Sequence, residues 1–204
     1  MLICQVEWRL NILIKGRKPL IVACREPFSG GVLLDWYEKM LEIDGKTFSL
    51  NHLSPFSLDV DLPQQGNTPS LSFVLQVKFS THCVSEDWVN YPSVLFPDEG
   101  GKQRYFSFAR YQLSLRLPEI LRSLQDRQCY FASQRNYLTV EITEQNEERK
   151  QYHIYFSVKK TSDGVEVLVE SAYVPKNPER QTKKIKGKVI LSNIYQGKRI
   201  ARFR

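Results

Sequence analysis

The sequence predicts an α+β protein built from antiparallel sheets with two or three helices. Three observations carry that expectation: strand-like alternation of apolar residues recurs in separate stretches, helical spacing is concentrated around residues 109–124, and Gly, Pro, Asn and Asp collect between them. At 204 residues the chain is long enough to bury a hydrophobic core.

Val6, Trp8, Leu10, Ile12 and Ile14 alternate with more polar neighbours, and Lys15-Gly16-Arg17-Lys18-Pro19 turns the chain into the apolar run Leu20 to Cys24: strand, loop, strand. Val32 to Leu34 with Trp36, Tyr37, Met40 and Leu41 fits a helix after Ser29-Gly30-Gly31 that stops at Asp44-Gly45. Ser54 to Pro69 reads as loop from its Pro, Asp, Gln, Gly and Asn content, and Leu71 to Phe79 as a strand. Pro92, Pro97 and Gly100-Gly101 mark a boundary. It divides an N-terminal α+β part, residues 1–97, suited to binding a partner, from a basic α+β module, residues 98–204, with a cationic C-terminal tail.

In the second part Arg104 to Leu117 fits two periods. Tyr111, Leu113, Leu115 and Leu117 alternate as in a strand, while Ala109, Leu113, Leu117, Leu121 and Leu124 form the helical stripe that is preferred here. Pro118 and Glu119 suit the first turn of a helix whose apolar face is Ile120, Leu121 and Leu124. Strands follow at Asn136 to Ile142, Tyr152 to Lys159 and Val165 to Val174, the last two joined by the turn Thr161-Ser162-Asp163-Gly164, and a final strand spans Lys188 to Ile194.

Charge is unevenly placed. Residues 1–102 carry 9 basic and 12 acidic side chains, net −3, and residues 103–204 carry 20 and 10, net +10. Lys176 to Arg204 alone hold ten Lys/Arg against Glu179. Such a run either solubilises the chain or concentrates a polyanion through counterion release. The second reading makes Lys183, Lys184, Lys186, Lys188, Lys198 and Arg199, together with Lys159, nucleic-acid contacts, with RNA ahead of DNA. Cys4, Cys24, Cys83 and Cys129 lack the paired spacing of a zinc site and read as reduced thiols. No phosphate-cradling GxxxxGK[ST] and no Gly-x-Ser-x-Gly occur, and Asp59 and Asp61 sit in the expected loop, so no metal and no cofactor is expected. No apolar run approaches the ~20 residues of a membrane span. The expectation is a cytoplasmic protein that does not engage a membrane.

Alternation fixes which side chains share a face. Setting Val165, Val167 and Val169 against Lys160, Val158 and Phe156 puts Glu170 opposite Tyr155, and matching Leu138, Val140 and Ile142 to Phe156, Ile154 and Tyr152 puts Glu141 opposite His153. The apolar set faces inward. The opposite face presents Tyr137, Thr139, Glu141, His153, Tyr155, Ser157, Lys159, Glu166 and Glu170. An imidazole beside a carboxylate offers a base and an acid of different pKa, which RNA cleavage through the 2′-hydroxyl needs, together with a cation for the phosphorane charge. His153 with Glu141 or Glu170 would do the first, and Arg135 or Lys159 the second. The alternative is a solvated face with cross-strand pairs such as Lys159 with Glu166. Arg104 and Arg110, interleaved with Tyr105, Phe106, Phe108 and Tyr111, could serve base stacking, although Phe106, Phe108 and Phe131 fit a core better.

Residues 104–174 run from a basic helical stretch into an antiparallel meander. Through Arg127-Gln128-Cys129-Tyr130-Phe131, Arg135-Asn136-Tyr137-Leu138-Thr139-Val140 and Val165 to Tyr173, this stretch resembles the barnase, EndoU, colicin and RelE class of small ribonuclease toxins. The resemblance implies metal-independent endoribonuclease activity and an antitoxin or other protein partner. The other function class is a non-enzymatic nucleic-acid-binding or assembly subunit of a phage-defence or mobile-element complex.

Overall fold

A computed structural model describes residues 35–43, 45–64, 66, 69–87, 102–130, 151–176 and 184–198, and the backbone of 10–14, 17–22, 24–25, 131–132, 135–143 and 149–150. In chain order, β1 (Leu10–Ile14) and β2 (Arg17–Val22) pair antiparallel, two strands as expected but with Arg17, Lys18 and Pro19 in the second strand and not in the turn. Strands β3 (Cys24–Arg25), β4 (Met40–Ile43) and β5 (Lys46–Ser49) make a small antiparallel sheet. Next come β6 (Phe56–Leu62), β7 (Leu71–Phe79), the paired short strands β8 (Ser85–Glu86) and β9 (Tyr105–Phe106), and the helices α1 (Phe108–Ser114) and α2 (Leu117–Arg122). The chain continues through β10 (Gln128–Ala132), β11 (Arg135–Thr143), β12 (Arg149–Lys160), β13 (Gly164–Tyr173), β14 (Lys184–Lys186) and α3 (Gly187–Tyr195). The fold is α+β.

The main sheet has seven strands in the order β14-β10-β11-β12-β13-β7-β6. It draws β6 and β7 from the first hundred residues and the other five from the second, so strands on both sides of the expected boundary share one sheet and one core; Pro92 to Gly101 itself lies outside the described residues. The sheet is also mixed, because β13 runs parallel to β7 while its other pairs are antiparallel. A parallel neighbour needs a long crossover, and the stretch between β7 and β13 supplies it.

One face of the sheet is the core. Leu75, Val77, Ile154, Phe156, Val165, Val167 and Val169 are at most 1% exposed. Leu117, Leu121, Leu124, Ile190 and Leu191 of the helical segments belong to the same cluster. Two glycines permit this closeness. A Cβ at Gly164 would overlap the Val74 carbonyl across the parallel pair, and one at Gly187 would overlap the Leu124 carbonyl where α3 begins. His52 ties α1 to the loop before β6, its Nε2 lying 2.8 Å from Ser114 Oγ, and burial lowers its pKa.

Three expectations are corrected. Around residues 35–43 there is no long helix: a single turn of 3-10 helix, Trp36–Glu38, leads into β4, which pairs with β5 as an antiparallel hairpin. Gly45, between β4 and β5, has φ 71°, the left-handed backbone that glycine adopts most readily. The expected loop 54–69 contains β6, whose Phe56, Leu58, Val60 and Leu62 pack on the core face while Ser57, Asp59 and Asp61 are exposed. The expected strand 188–194 is the helix α3. Its β-branched composition favours extended chain, but Ile190, Leu191 and Ile194 at helical spacing pack on the sheet, and tertiary packing outweighs propensity.

Candidate nucleic-acid interface

Strand β12 places Tyr152, Ile154 and Phe156 in the core and His153, Tyr155, Ser157 and Lys159 on the outer face, as alternation requires. The outer face is not uniformly open. His153 is 0% exposed, with Nδ1 3.3 Å from the Tyr155 hydroxyl and Nε2 3.5 Å from Gln151 Oε1. Since Oε1 can only accept, that contact asks Nε2 to carry the proton, leaving Nδ1 to accept from Tyr155. Tyr130 and Tyr155 are also buried and cluster with Tyr173, whose ring stacks on Tyr155 at 5.5 Å and 20°. From α1, Arg110 lays its guanidinium 4.9 Å from the Tyr173 ring centroid and donates from NH1 to the His82 carbonyl at 2.9 Å. Burial pulls the Arg110 pKa down from its ordinary value.

The proposed catalytic set is spread differently from the expectation. His153 lies opposite Thr139 on β11 and Tyr173 on β13, and Glu141 lies opposite Gln151. The β11/β12 register is therefore two residues away from the inferred one, which preserves the faces but moves Glu141 off the histidine's row. A β-bulge between Tyr155 and Phe156 brings Ser171 opposite Tyr155 and leaves Glu170 within the irregularity. Arg135 pairs with Ala132 at the β10/β11 hairpin, and the side chains of Arg135 and Glu141 lie outside the described residues. A fully enclosed imidazole cannot reach a 2′-hydroxyl in this conformation, and reach precedes pKa in choosing a general base.

At its other end the same face is open and charged. Glu166 of β13 is held by Lys159 of β12 at 2.7 Å and Lys78 of β7 at 2.8 Å. Hydrogen bonds from Lys159, then Lys78, hold its carboxyl below the usual carboxylate range. Lys159 thus spends its charge on Glu166, and the three groups together carry one net positive charge.

The remaining cations divide between two sides. Lys184 and Lys186 are exposed on β14, where their Cα partners are Tyr130 and Gln128 of β10, so they project on the outer face at the sheet's edge. Lys188 is half-buried on α3, lining a shallow depression on the helical side with Leu62, Pro63, Leu71 and Val189. Lys198 is exposed beyond the end of α3. Among the described residues none of these four lysines forms an ion pair. Lys183 and Arg199 lie outside the described residues.

The aromatic and arginine candidates around α1 are mostly structural. Arg104, 4% exposed, donates to Ser85 Oγ at 2.9 Å and the Ser85 carbonyl at 3.0 Å and pairs with Asp87, so it is not offered to phosphate. Phe106 is core, but Phe108 is 56% exposed where core was expected; it caps Phe48 edge-on at 5.6 Å from the rim of α1. Tyr195 stacks on Phe73 at 4.6 Å. Cys83 and Cys129 are buried free thiols, and burial pushes the Cys129 thiol up to about 12. Among the described residues no three His, Cys, Asp or Glu side chains gather to hold a metal ion, and no helix is long and apolar enough to cross a membrane. The pair Asp59 and Asp61, read from sequence as loop carboxylates, stands on the edge strand β6; the alternation of Phe56, Leu58, Val60 and Leu62 was the signal that could have found it.

The sequence model described as the YjaZ family matches residues 40–195, more than half of the chain, and the chain belongs to that family. No curated protein and no solved structure matches it.

Proposed function

We propose that this YjaZ-family protein binds nucleic acid, RNA ahead of DNA, along the cationic edge formed by β14. The observation that carries the reading is the pair Lys184 and Lys186: both exposed, on one face of one strand, and without an ion pair among the described residues. Two such side chains stand roughly 6.8 Å apart along a strand. Each lysine that neutralises a phosphate releases the cations condensed on the nucleic acid there. Lys188 faces the helical side, and Lys198 follows Tyr195, which stacks on Phe73 of β7, so both add to the field without sharing the edge, while Lys183 and Arg199 lie outside the described residues.

Binding stands ahead of cleavage because His153 is enclosed and its nitrogens are engaged by Tyr155 and Gln151. The toxin-like endoribonuclease reading, with Glu141, Glu170 and Arg135 around His153, would need that end of the sheet to open. A protein partner, whether antitoxin-like or a fellow subunit of a defence or mobile-element complex, belongs to the same proposal. So does the cytoplasm as the compartment where nucleic acid and free thiols coexist. Fluorescence anisotropy with single-stranded RNA and DNA tests the reading. Lys184→Glu/Lys186→Glu is expected to weaken binding about tenfold at low salt, while His153→Ala leaves it unchanged. Equal binding by wild type and the lysine variant would overturn it.

A further inference from the structure

The two edges of the seven-stranded sheet carry opposite charge in matching patterns. One edge is β6, with Asp59, Val60 and Asp61; the other is β14, with Lys184, Ile185 and Lys186. All four charged residues are exposed. Val60 and Ile185 belong to or pack on the core cluster, so each edge alternates charge outward and apolar inward with the same spacing. The pairings Asp59↔Val74, Gln76↔Glu166 and Glu166↔Lys159 place the aspartates on the same outer face that bears Lys184 and Lys186. Among the described residues no strand lies beyond either edge.

Strand direction also fits. Following the pairings across the sheet, with one parallel step at β13/β7 and antiparallel steps elsewhere, β14 and β6 run in opposite directions. A second copy continuing the sheet with its faces in register would therefore meet the first in an antiparallel pair, the better-satisfied geometry. Asp59 would stand opposite Lys186, Val60 opposite Ile185, and Asp61 opposite Lys184. Pairing of β6 with β6 or β14 with β14 would set like charges together, which disfavours a two-fold dimer through either edge.

We propose that the chain associates head to tail, the acidic edge β6 of one copy taking the basic edge β14 of the next to extend the sheet. Unpaired edge backbone supplies the hydrogen bonds, and the aspartate and lysine pairs choose the partner. With a three-residue strand on one side the contact is short, so association is weak and salt-sensitive, and phosphate bound at Lys184 and Lys186 competes with it.

Sedimentation velocity on nucleic-acid-free protein tests this with two charge-reversed variants, Asp59→Lys/Asp61→Lys and Lys184→Asp/Lys186→Asp, each checked for folding by circular dichroism. Wild type is expected to gain weight-average mass with concentration and lose it with salt, and each variant alone to remain monomeric. An equimolar mixture of the two variants, one with two basic edges and one with two acidic edges, is expected to associate again. A monomeric wild type at every concentration, association by either variant alone, or a mixture that stays monomeric would overturn the proposal. The nucleic-acid reading is scored separately, because Asp59→Lys/Asp61→Lys leaves the lysine edge intact and should still bind RNA.

Discussion

The two ends of β12 present the same alternating pattern to the same outer face and reach opposite fates. At the His153 end, Tyr155, Tyr130 and Tyr173 pack together under the Arg110 guanidinium, and the histidine loses all contact with solvent. At the Lys159 end, the face stays open and its charges settle among themselves through Glu166. Period 2 decides which side of a sheet a residue is on; whether that side is wet depends on what else packs there. A histidine among polar residues in sequence can therefore be a buried structural group, while Lys184 and Lys186, exposed and without an ion pair among the described residues, lie on a short edge strand.

Denaturant unfolding of a graded set of β12 substitutions would sharpen the contrast. Phe156→Ala, on the core face, should cost about 3–5 kcal/mol, since a fully buried ring leaves a cavity. His153→Ala should cost about 1–3 kcal/mol by removing a fully buried side chain together with its contacts to Tyr155 and Gln151. Lys159→Ala should cost at most about 1 kcal/mol, because its ammonium is exposed and Lys78 still holds Glu166. Equal losses for His153→Ala and Lys159→Ala would erase the difference between the two ends.

A smaller effect is expected from pH at the open end. Glu166 has its pKa lowered in the folded state, so its contribution to stability is present above the ordinary carboxylate pKa and is lost as pH falls through the folded value. Thermal melts of wild type and Glu166→Gln should therefore differ at neutral pH and converge under acid, starting below the ordinary value of 4.5. A gap that persists in acid would mean that packing, not the lysine pairs, accounts for Glu166.

Much of the fold was legible because local and long-range preferences agree. The β11, β12 and β13 faces, the 161–164 turn and the proline at the start of α2 all follow from pattern and turn chemistry. Failures came where a local signal had two physical meanings. Asp44-Gly45 can stop a helix or close a hairpin, and the 3-10 turn before it left no helix to stop. Acidic residues on β6 resemble a loop because an exposed edge strand needs polar groups on its outer side. The β-branched run in α3 reads as strand until the sheet it covers is known. The enclosure of His153 was not legible at all, since it depends on residues distant in sequence, among them Arg110 and Tyr173.

The central claim, that Lys184 and Lys186 form a docking edge for phosphates, is tested most directly by the salt dependence of binding to a single-stranded RNA oligonucleotide. Each phosphate contact should contribute a log–log slope of about −0.7, so Lys184→Glu/Lys186→Glu should flatten the wild-type line by about 1.4. Parallel lines for the two proteins, or a wild-type slope near zero, would contradict it.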